Sequence, residues 1–339
     1  MATKQCFGIG PRLWWRVLIG VCVAVVASCG PSGSEQVGPD SDSIDADRPV
    51  IVATVGMVAD MARAVAGDRA EVVQLIGSGV DPHLYKPTRS DVARLMEADI
   101  IFYNGLLLEG KMTDTLVRAT TGGARVHAVT EALDGAVLLE PAEFEGHADP
   151  HVWMDPRAWS ACVAVVRDRL SEFDPDGAAE YASNAAAYES RLMELDAYAE
   201  GVLGTVPESG RVLVTAHDAF NYFGRRYGFE VVGIQGLSTE SEAGVRDIER
   251  LVDLIVTRDV KAVFVESTVS ERNIGALVAG ARARGHEVVI GGSLFSDAMG
   301  EPGTYEGTYE GMIDHNVTTI ARALGGEAPA RGMRGMLSE

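Results

Sequence analysis

Cysteine is scarce in this chain: there are four among 339 residues, three of them within the first 29. Only Cys162 stands in the remainder, so no internal disulfide can form there. Positive charge is scarce as well. Twenty-nine Lys and Arg face 49 Asp and Glu, a net charge of −20, which argues against nucleic acid as a partner and suits a surface that attracts cations. Beyond the N-terminal segment no apolar run reaches the ~20 residues a membrane-spanning helix needs. No glycine-rich loop of the P-loop kind offers to hold a nucleotide.

The N-terminus is where apolar residues concentrate. Lys4, Arg12 and Arg16 precede the run Val17 to Ala27, which ends in Ala27-Ser28-Cys29-Gly30. A basic start, an apolar core too short to span a bilayer and small residues before a cleavage point make a secretory signal. Small residues directly before Cys-Gly resemble a bacterial lipobox, which implies cleavage after residue 28 and a lipid on Cys29. Removing the signal leaves 26 basic against 49 acidic residues, a net charge of −23. Residues 29–49, rich in Ser, Gly, Pro and Asp, read as a flexible tether between anchor and folded body.

From residue 50 onward, Val/Ile-rich runs alternate with amphipathic segments. Strands are expected near Val50–Val55, Glu71–Ile76, Asp99–Tyr103, Arg125–Val129, Arg211–Thr215, Glu230–Ile234, Lys261–Val265 and Glu287–Ile290. Strands alternating with helices give an α/β fold with mainly parallel sheets. One helix follows Asp155-Pro156, with Asp as cap and Pro in the first turn, and should bury Ala158, Ala161, Cys162, Val165 and Val166. Cys162 on that face is a structural thiol rather than a nucleophile. A second helix carries Ile248, Leu251, Val252 and Ile255 at helical spacing.

The segment Gly177 to Leu203 breaks the rhythm. It is Ala- and Glu-rich, holds Tyr181, Tyr188, Leu192, Leu195 and Tyr198, and has no proline. As one helix it would be about 40 Å long, enough to cross a small domain. It is the natural connector (residues 175–205) between an N-terminal lobe (50–174) and a C-terminal lobe (206–330), with 331–339 as a tail. Such a rigid connector should resist wide opening between the lobes.

Seven histidines are present, and open α/β sheets place ligands at the carboxyl ends of their strands. His83 lies in the loop Gly79 to Pro87 after the second strand, His217 ends Val212 to His217, and His151 sits in Asp149 to Pro156 ahead of the capped helix. Asp297 follows the last strand in Gly291 to Asp297. Successive members are 68, 66 and 80 residues apart, so neither a local finger nor an HExxH helix can hold them, and only tertiary folding can gather them. Three neutral imidazoles and one carboxylate suit borderline divalent cations such as Zn²⁺, Mn²⁺ or Fe²⁺, with less negative charge than a calcium cage.

The runs GVDPHLYKPT, DPHVWMDP, VTAHDAFNYFGRRYGFE, VFVES and SLFSD resemble the successive motifs of the zinc/manganese (TroA-like) receptors of metal ABC importers. GMVAD at Gly56 and ADIIFYNGLLLEGKM ending at Met112 extend the likeness, which covers Val50 to about Gly325. The resemblance implies a two-lobed α/β solute-binding lipoprotein with its metal site in the interlobe cleft. Its ligands fall on His83, His151, His217 and Asp297. It also implies a separate ABC permease and ATPase as partners, a divalent metal as transported ligand, and a location outside the cytoplasm at a membrane, as a monomer.

The metal is less determined than the site. Some members of the family place Glu where this chain has His217; His there resembles the zinc receptors. Many zinc receptors also carry a long His-rich loop, and here that loop is only Glu143 to His147 (EFEGH), with one histidine. An N/O site prefers Zn²⁺ to Mn²⁺ in the Irving–Williams order, so zinc is expected first and manganese next. Asp81 and Glu266 are candidates to hold the far nitrogens of the ligating imidazoles. Asp81 could equally cap its turn before Pro82. His127, His286 and His315 read as structural or surface residues, and His147 first as a surface-loop residue, with handing metal inward to His151 as the alternative.

Two other classes fit parts of this pattern. A secreted zinc hydrolase would use three histidines and an open fourth position, against which the Asp297 carboxylate closes the site. A surface adhesin lipoprotein would share the anchor.

Overall fold

The computed structural model describes residues 48–141, 144 and 146–338. The signal segment, Cys29, most of the tether and Glu143 lie outside the described residues.

The first sheet is built from four short parallel strands in the order β2-β1-β3-β4: β1 (Val50–Ala53), β2 (Glu71–Gln74), β3 (Ile100–Tyr103) and β4 (Arg125–Ala128). Ile51, Val52, Ala53, Ile100, Ile101 and Phe102 are fully buried. Continuous apolar runs of this kind mark parallel strands covered on both faces. Helices α1 (Gly56–Ala66), α2 (Arg89–Glu97) and α3 (Thr113–Thr121) provide the crossovers. Thr88 starts α2 by accepting from Asp91 N, and Asp91 returns a bond to Thr88 N at 2.7 Å, a reciprocal cap.

Helix α4 (Pro156–Phe173) begins as its sequence dictates, with the Asp155 carboxylate accepting from the Arg157 and Ala158 N–H groups and Pro156 in the first turn. Its buried side differs from the expected one in one place. Ala161 is exposed, and Trp159 and Val163 are buried instead. Two elements, α1 and the long helix α5 (Ala178–Leu203), pack on α4, so its buried stripe is broad and shifted away from Ala161. Helix α5 has 26 residues and packs against α4, α1 and α9 (Tyr309–Ala323).

The second half of the chain forms two parallel pairs, β5 (Val212–His217) with β6 (Glu230–Gln235) and β7 (Ala262–Glu266) with β8 (Val289–Leu294). β5 lies beside β7, and the His217 N–H donates to Glu266 across that seam at 2.9 Å. β8 runs further than Glu287–Ile290, continuing through Gly291 and Gly292 to Leu294. In sequence the glycine pair reads as a break. In the sheet it is a close approach, because a Cβ on Gly291 would stand 2.7 Å from Ala323 Cβ and 2.8 Å from the Phe264 ring.

Helices α6 (Asn221–Tyr227), α7 (Val245–Thr257) and α8 (Arg272–Ala283) cover these pairs together with α9. α7 buries Leu251, Val252 and Ile255, with Ile248 half-buried. The tandem repeat Thr304 to Gly311 (TYEGTYEG) is divided between a loop and the start of α9. Thr308 caps α9 by accepting from Gly311 N at 3.1 Å, so the second Tyr-Glu-Gly forms the helix's first turn. Among the described residues no helix is long and apolar enough to cross a membrane.

Candidate metal centre

Three strand-end segments and the turn ahead of α4, well past the end of β4 at Ala128, converge where the two halves meet. His83, in the loop after β2, brings Nε2 to 3.3 Å from Nε2 of His151, which stands just before α4. Asp297, in the loop after β8, places Oδ1 3.4 Å from His151 Nε2 and Oδ2 3.1 Å from Nε2 of His217 at the end of β5. His83 Nε2 is 3.6 Å from Asp297 Oδ2. One ligand atom from each residue can be chosen so that all lie within 4.8 Å of one another.

His151, His217 and Asp297 are essentially without exposure, and His83 is 4% exposed. The two Asp297 oxygens and His217 Nε2 have no aligned hydrogen-bond partner despite their closeness. Buried polar atoms are ordinarily paired, so a cluster of unpaired ones facing a common point is a site built for a cation. Neighbouring ligand atoms around a tetrahedral ion held at about 2.0–2.1 Å stand about 3.3 Å apart. Four separations, counted over both Asp297 oxygens, run from 3.1 to 3.6 Å around that spacing, and with one atom per residue all stay within 4.8 Å.

Two of the three imidazoles are aimed by a carboxylate. Asp149 Oδ1 accepts both the His151 N–H at 2.9 Å and its ring Nδ1 at 2.7 Å. Glu266 accepts the His217 N–H at 2.9 Å and its Nδ1 at 2.5 Å. With Nδ1–H donated, each ring turns Nε2 toward the centre. Asp81 accepts only the His83 N–H, at 2.8 Å, and its other oxygen takes the Thr239 hydroxyl at 2.5 Å. Among the described residues no hydrogen bond holds Nδ1 of His83.

The sequence points to Asp81 for the duty that the structure gives to Asp149. The signal was present, since Asp-Pro-His occurs twice, at residues 81–83 and 149–151. Both aspartates cap their turns identically, and only the ring rotamer separates them. Asp149 is itself held from the second half of the chain, by Asn221 Nδ2 at 3.1 Å and, through its carbonyl, by the Tyr222 hydroxyl at 2.9 Å.

Electrostatics divide the three imidazoles. Burial alone would strip the proton from His151, but Asp149 and Asp297 outweigh it and lift the ring to about 9. Burial likewise opposes charge on His217, and Asp297 with Glu266 raise it well above the ordinary histidine range. His83 is lowered to about 3 by burial, with Asp297 only partly offsetting it. Burial would favour a protonated Asp297, yet His217 and His151 hold its carboxyl well below the usual range. Without a metal the centre stores protons on two imidazoles beside a carboxylate, and a cation entering must displace them.

The remaining histidines stand elsewhere. His127 lies in β4 against the Phe102 ring, and His147 is exposed beside Phe144. His286 Nε2 meets Val260 O at 2.7 Å, and His315 Nε2 meets Ser293 O at 2.9 Å. Cys162 is buried on α4, where burial pushes its thiol far up.

A family model described as the periplasmic component A of a zinc-uptake complex matches residues 51–323. The manganese-binding lipoprotein MntA of Bacillus subtilis (strain 168) is 47% identical over 288 residues, covering 85% of this chain and 94% of that protein. The zinc-binding protein TroA of Treponema pallidum (strain Nichols) is 44% identical over 306 residues, covering 90% and 98%. The solved structure of the periplasmic zinc-binding protein TroA from Treponema pallidum superposes with a TM-score of 0.79 at 45% identity, covering 82% of this chain and 99% of that one.

Proposed function

Because the chain belongs to the family of periplasmic zinc-uptake components, metal-binding proteins of ABC importers, we propose that His83, His151, His217 and Asp297 are the ligands of its cargo. The chain binds a divalent transition metal outside the cytoplasm and delivers it to an import permease, which works with its ATPase as separate proteins. It is a binding protein and not an enzyme, which sets the hydrolase reading aside. The observation that carries the ligand assignment is the set of buried, unpaired Asp297 and His217 atoms turned toward two further imidazole nitrogens.

Zinc is the favoured ion. A compact set of three imidazoles and a carboxylate suits it, and the Irving–Williams order ranks it above manganese. Manganese is the second reading, supported by the 47% identity to a manganese-binding lipoprotein. Anchoring through a lipid on Cys29 belongs to the same proposal, supported by the lipobox-like sequence and by that relative's being a lipoprotein. So do action as a monomer and the division into lobes at residues 50–174 and 206–330 about a connector at 175–205, which α5 (Ala178–Leu203) supports.

Elemental analysis of the purified chain followed by competitive titration with Zn²⁺ and Mn²⁺ tests this directly. The expected result is about one equivalent of metal per chain, largely lost in His217→Ala. Unchanged stoichiometry and affinity in that variant would overturn the ligand set. Growth of a deletion strain under metal limitation separates transport from adhesion.

A further inference from the structure

The two halves of the centre come from different lobes, and one buried side chain ties them together. Trp153 lies two residues after His151 in the short turn Val152–Met154, and it is fully buried. Its ring stands edge-on to the His151 imidazole, with centroids 5.2 Å apart at 67°. Its indole Nε1 donates to the carbonyl of Ser296 at 2.9 Å, the residue immediately before Asp297. Its own carbonyl accepts the Tyr309 hydroxyl at 2.7 Å from the first turn of α9. Tyr309 in turn stacks on Trp159 of α4, with centroids 6.0 Å apart at 22°.

Within its own lobe the Asp297 loop is fastened by Asn316 of α9, which accepts from Phe295 N at 2.9 Å and donates to Phe295 O at 2.7 Å. From the lobe carrying His151, Ser78 Oγ donates to Glu301 farther along the loop at 2.9 Å, and Trp153 makes its bond at Ser296, directly beside both ligands. The 3.4 Å between His151 Nε2 and Asp297 Oδ1 is therefore spanned by a braced frame: ring against imidazole on one side, indole N–H on the ligand loop on the other.

Resting on the metal-binding reading above, we propose that Trp153 is a positioning residue that fixes the spacing between the His151 and Asp297 halves of the centre and thereby sets its preference for a small, four-coordinate ion. Zn²⁺ accepts tetrahedral N/O sets closely, whereas a harder ion such as Mn²⁺ takes more oxygen donors in a larger, octahedral shell. A frame that lets the two halves drift apart costs the four-coordinate ion more than the larger one.

Trp153→Phe keeps a ring against His151 and deletes the N–H, leaving the Ser296 carbonyl unpaired. Tyr309→Phe keeps the stack on Trp159 and deletes the hydroxyl on the Trp153 carbonyl. Zn²⁺ and Mn²⁺ affinities of both variants and the parent chain would be measured by competition, with the visible d–d absorption of the Co²⁺-loaded proteins and the melting of the metal-free proteins. The zinc-to-manganese affinity ratio is expected to fall about three- to tenfold, the consequence of one buried hydrogen bond lost. The Co²⁺ bands should weaken, and the metal-free melting temperatures should move by only a few degrees.

Equal losses for both ions with unchanged Co²⁺ bands, or no loss for either, would overturn the proposal and leave Trp153 a core residue. If Trp153→Phe does not fold, Tyr309→Phe decides by the same two readouts. A parent chain that binds neither ion near one equivalent would instead refute the metal-binding reading.

Discussion

Replacing Glu266 by Gln isolates how much the centre owes to a residue that does not face the ion. Glu266 is 3% exposed and accepts twice from His217, at 2.5 Å from Nδ1 and 2.9 Å from the backbone N–H. A glutamine has one accepting oxygen, so its amide N–H₂ must confront one of those two donors. Hydrogen bonds to charged groups contribute about 1.5–3 kcal/mol, and a buried donor left unmatched forfeits a similar amount. At about 1.4 kcal/mol per tenfold, zinc affinity should fall about 10- to 100-fold, the range typical of losing the carboxylate behind a metal-bound imidazole. Competition against a chromophoric chelator near neutral pH measures it, with stoichiometry remaining near one. Asp149→Asn should cost less, since both bonds from His151 fall on Asp149 Oδ1, which an asparagine keeps, and its amide N–H₂ would confront only Asn221 Nδ2. An affinity within about threefold of the parent in Glu266→Gln would refute the claim that this carboxylate aims its ring.

Metal affinity should rise with pH from weakly acidic conditions toward about 9, because His151 sits at about 9 and His217 is raised well above its ordinary value in the metal-free centre. Both rings are protonated at neutral pH, so loading releases protons and affinity gains about tenfold per pH unit for each one displaced. Calorimetry in buffers of different ionisation heat counts them, and a pH-independent affinity with no proton release would contradict the assignment. Asp196→Asn should lower stability by about 3 kcal/mol, the low end for breaking a buried ion pair, because part of the network faces solvent. Asp196 is 2% exposed on α5 and grips Arg157 at 2.6 Å and Arg226 at 2.7 Å, from helices on either side. Burial pushes its carboxyl up, but Arg226 and Arg157 outweigh it and hold the group low. Its contribution is present above the ordinary aspartate range and disappears as pH falls through the lowered value, so the parent should lose more stability on acidification than the variant. Coincident urea midpoints for the two proteins at neutral pH would show that this hub holds nothing.

The architecture was legible because β1, β3, β5 and β7 are mostly apolar runs buried almost throughout, with the less buried β2, β4, β6 and β8 still carrying Val or Ile beside them. Helix α5 declared itself by an Ala/Glu-rich stretch without proline. The convergence of His83, His217 and Asp297 follows from open α/β sheets gathering loops at strand ends, whereas His151 joins them from the turn ahead of α4, well past β4. Other features depend on contacts that no local pattern encodes. Asp81 and Asp149 share one tripeptide and one turn, and only the tertiary surroundings of the ring decide which aspartate reaches an imidazole Nδ1. Ala161 lies on a helix whose partners come from distant segments, and Gly291 is spaced by the Ala323 and Phe264 side chains rather than by its own neighbours. The Trp153 bond to Ser296 spans 143 residues and is invisible until both loops are placed.

Those long-range bonds bear on how the ion leaves. Besides α5 and bonds such as Ser78 to Glu301, Leu139 to Tyr222 and Arg225 to Val137, five bonds join the lobes around the centre: Trp153 to Ser296, Tyr309 to Trp153, Tyr222 and Asn221 to Asp149, and Thr239 to Asp81. Each such bond contributes about 1 kcal/mol, so a wide hinge opening that broke all five would cost about 5 kcal/mol before any metal–ligand bond was lengthened. A tetrahedral ion is released far more cheaply: moving one donor by about an ångström already takes it beyond the ~2.0–2.1 Å that binding demands. Capture and release should therefore proceed by small displacements of ligand-bearing loops against a stiff frame, with the permease supplying the work of loosening them. Crystal structures of the metal-free and metal-loaded chain should superpose with only a slight change of lobe angle. A large rigid-body closure between them would mean that the interlobe bonds are remade in each cycle, and that α5 bends as a hinge rather than acting as a strut.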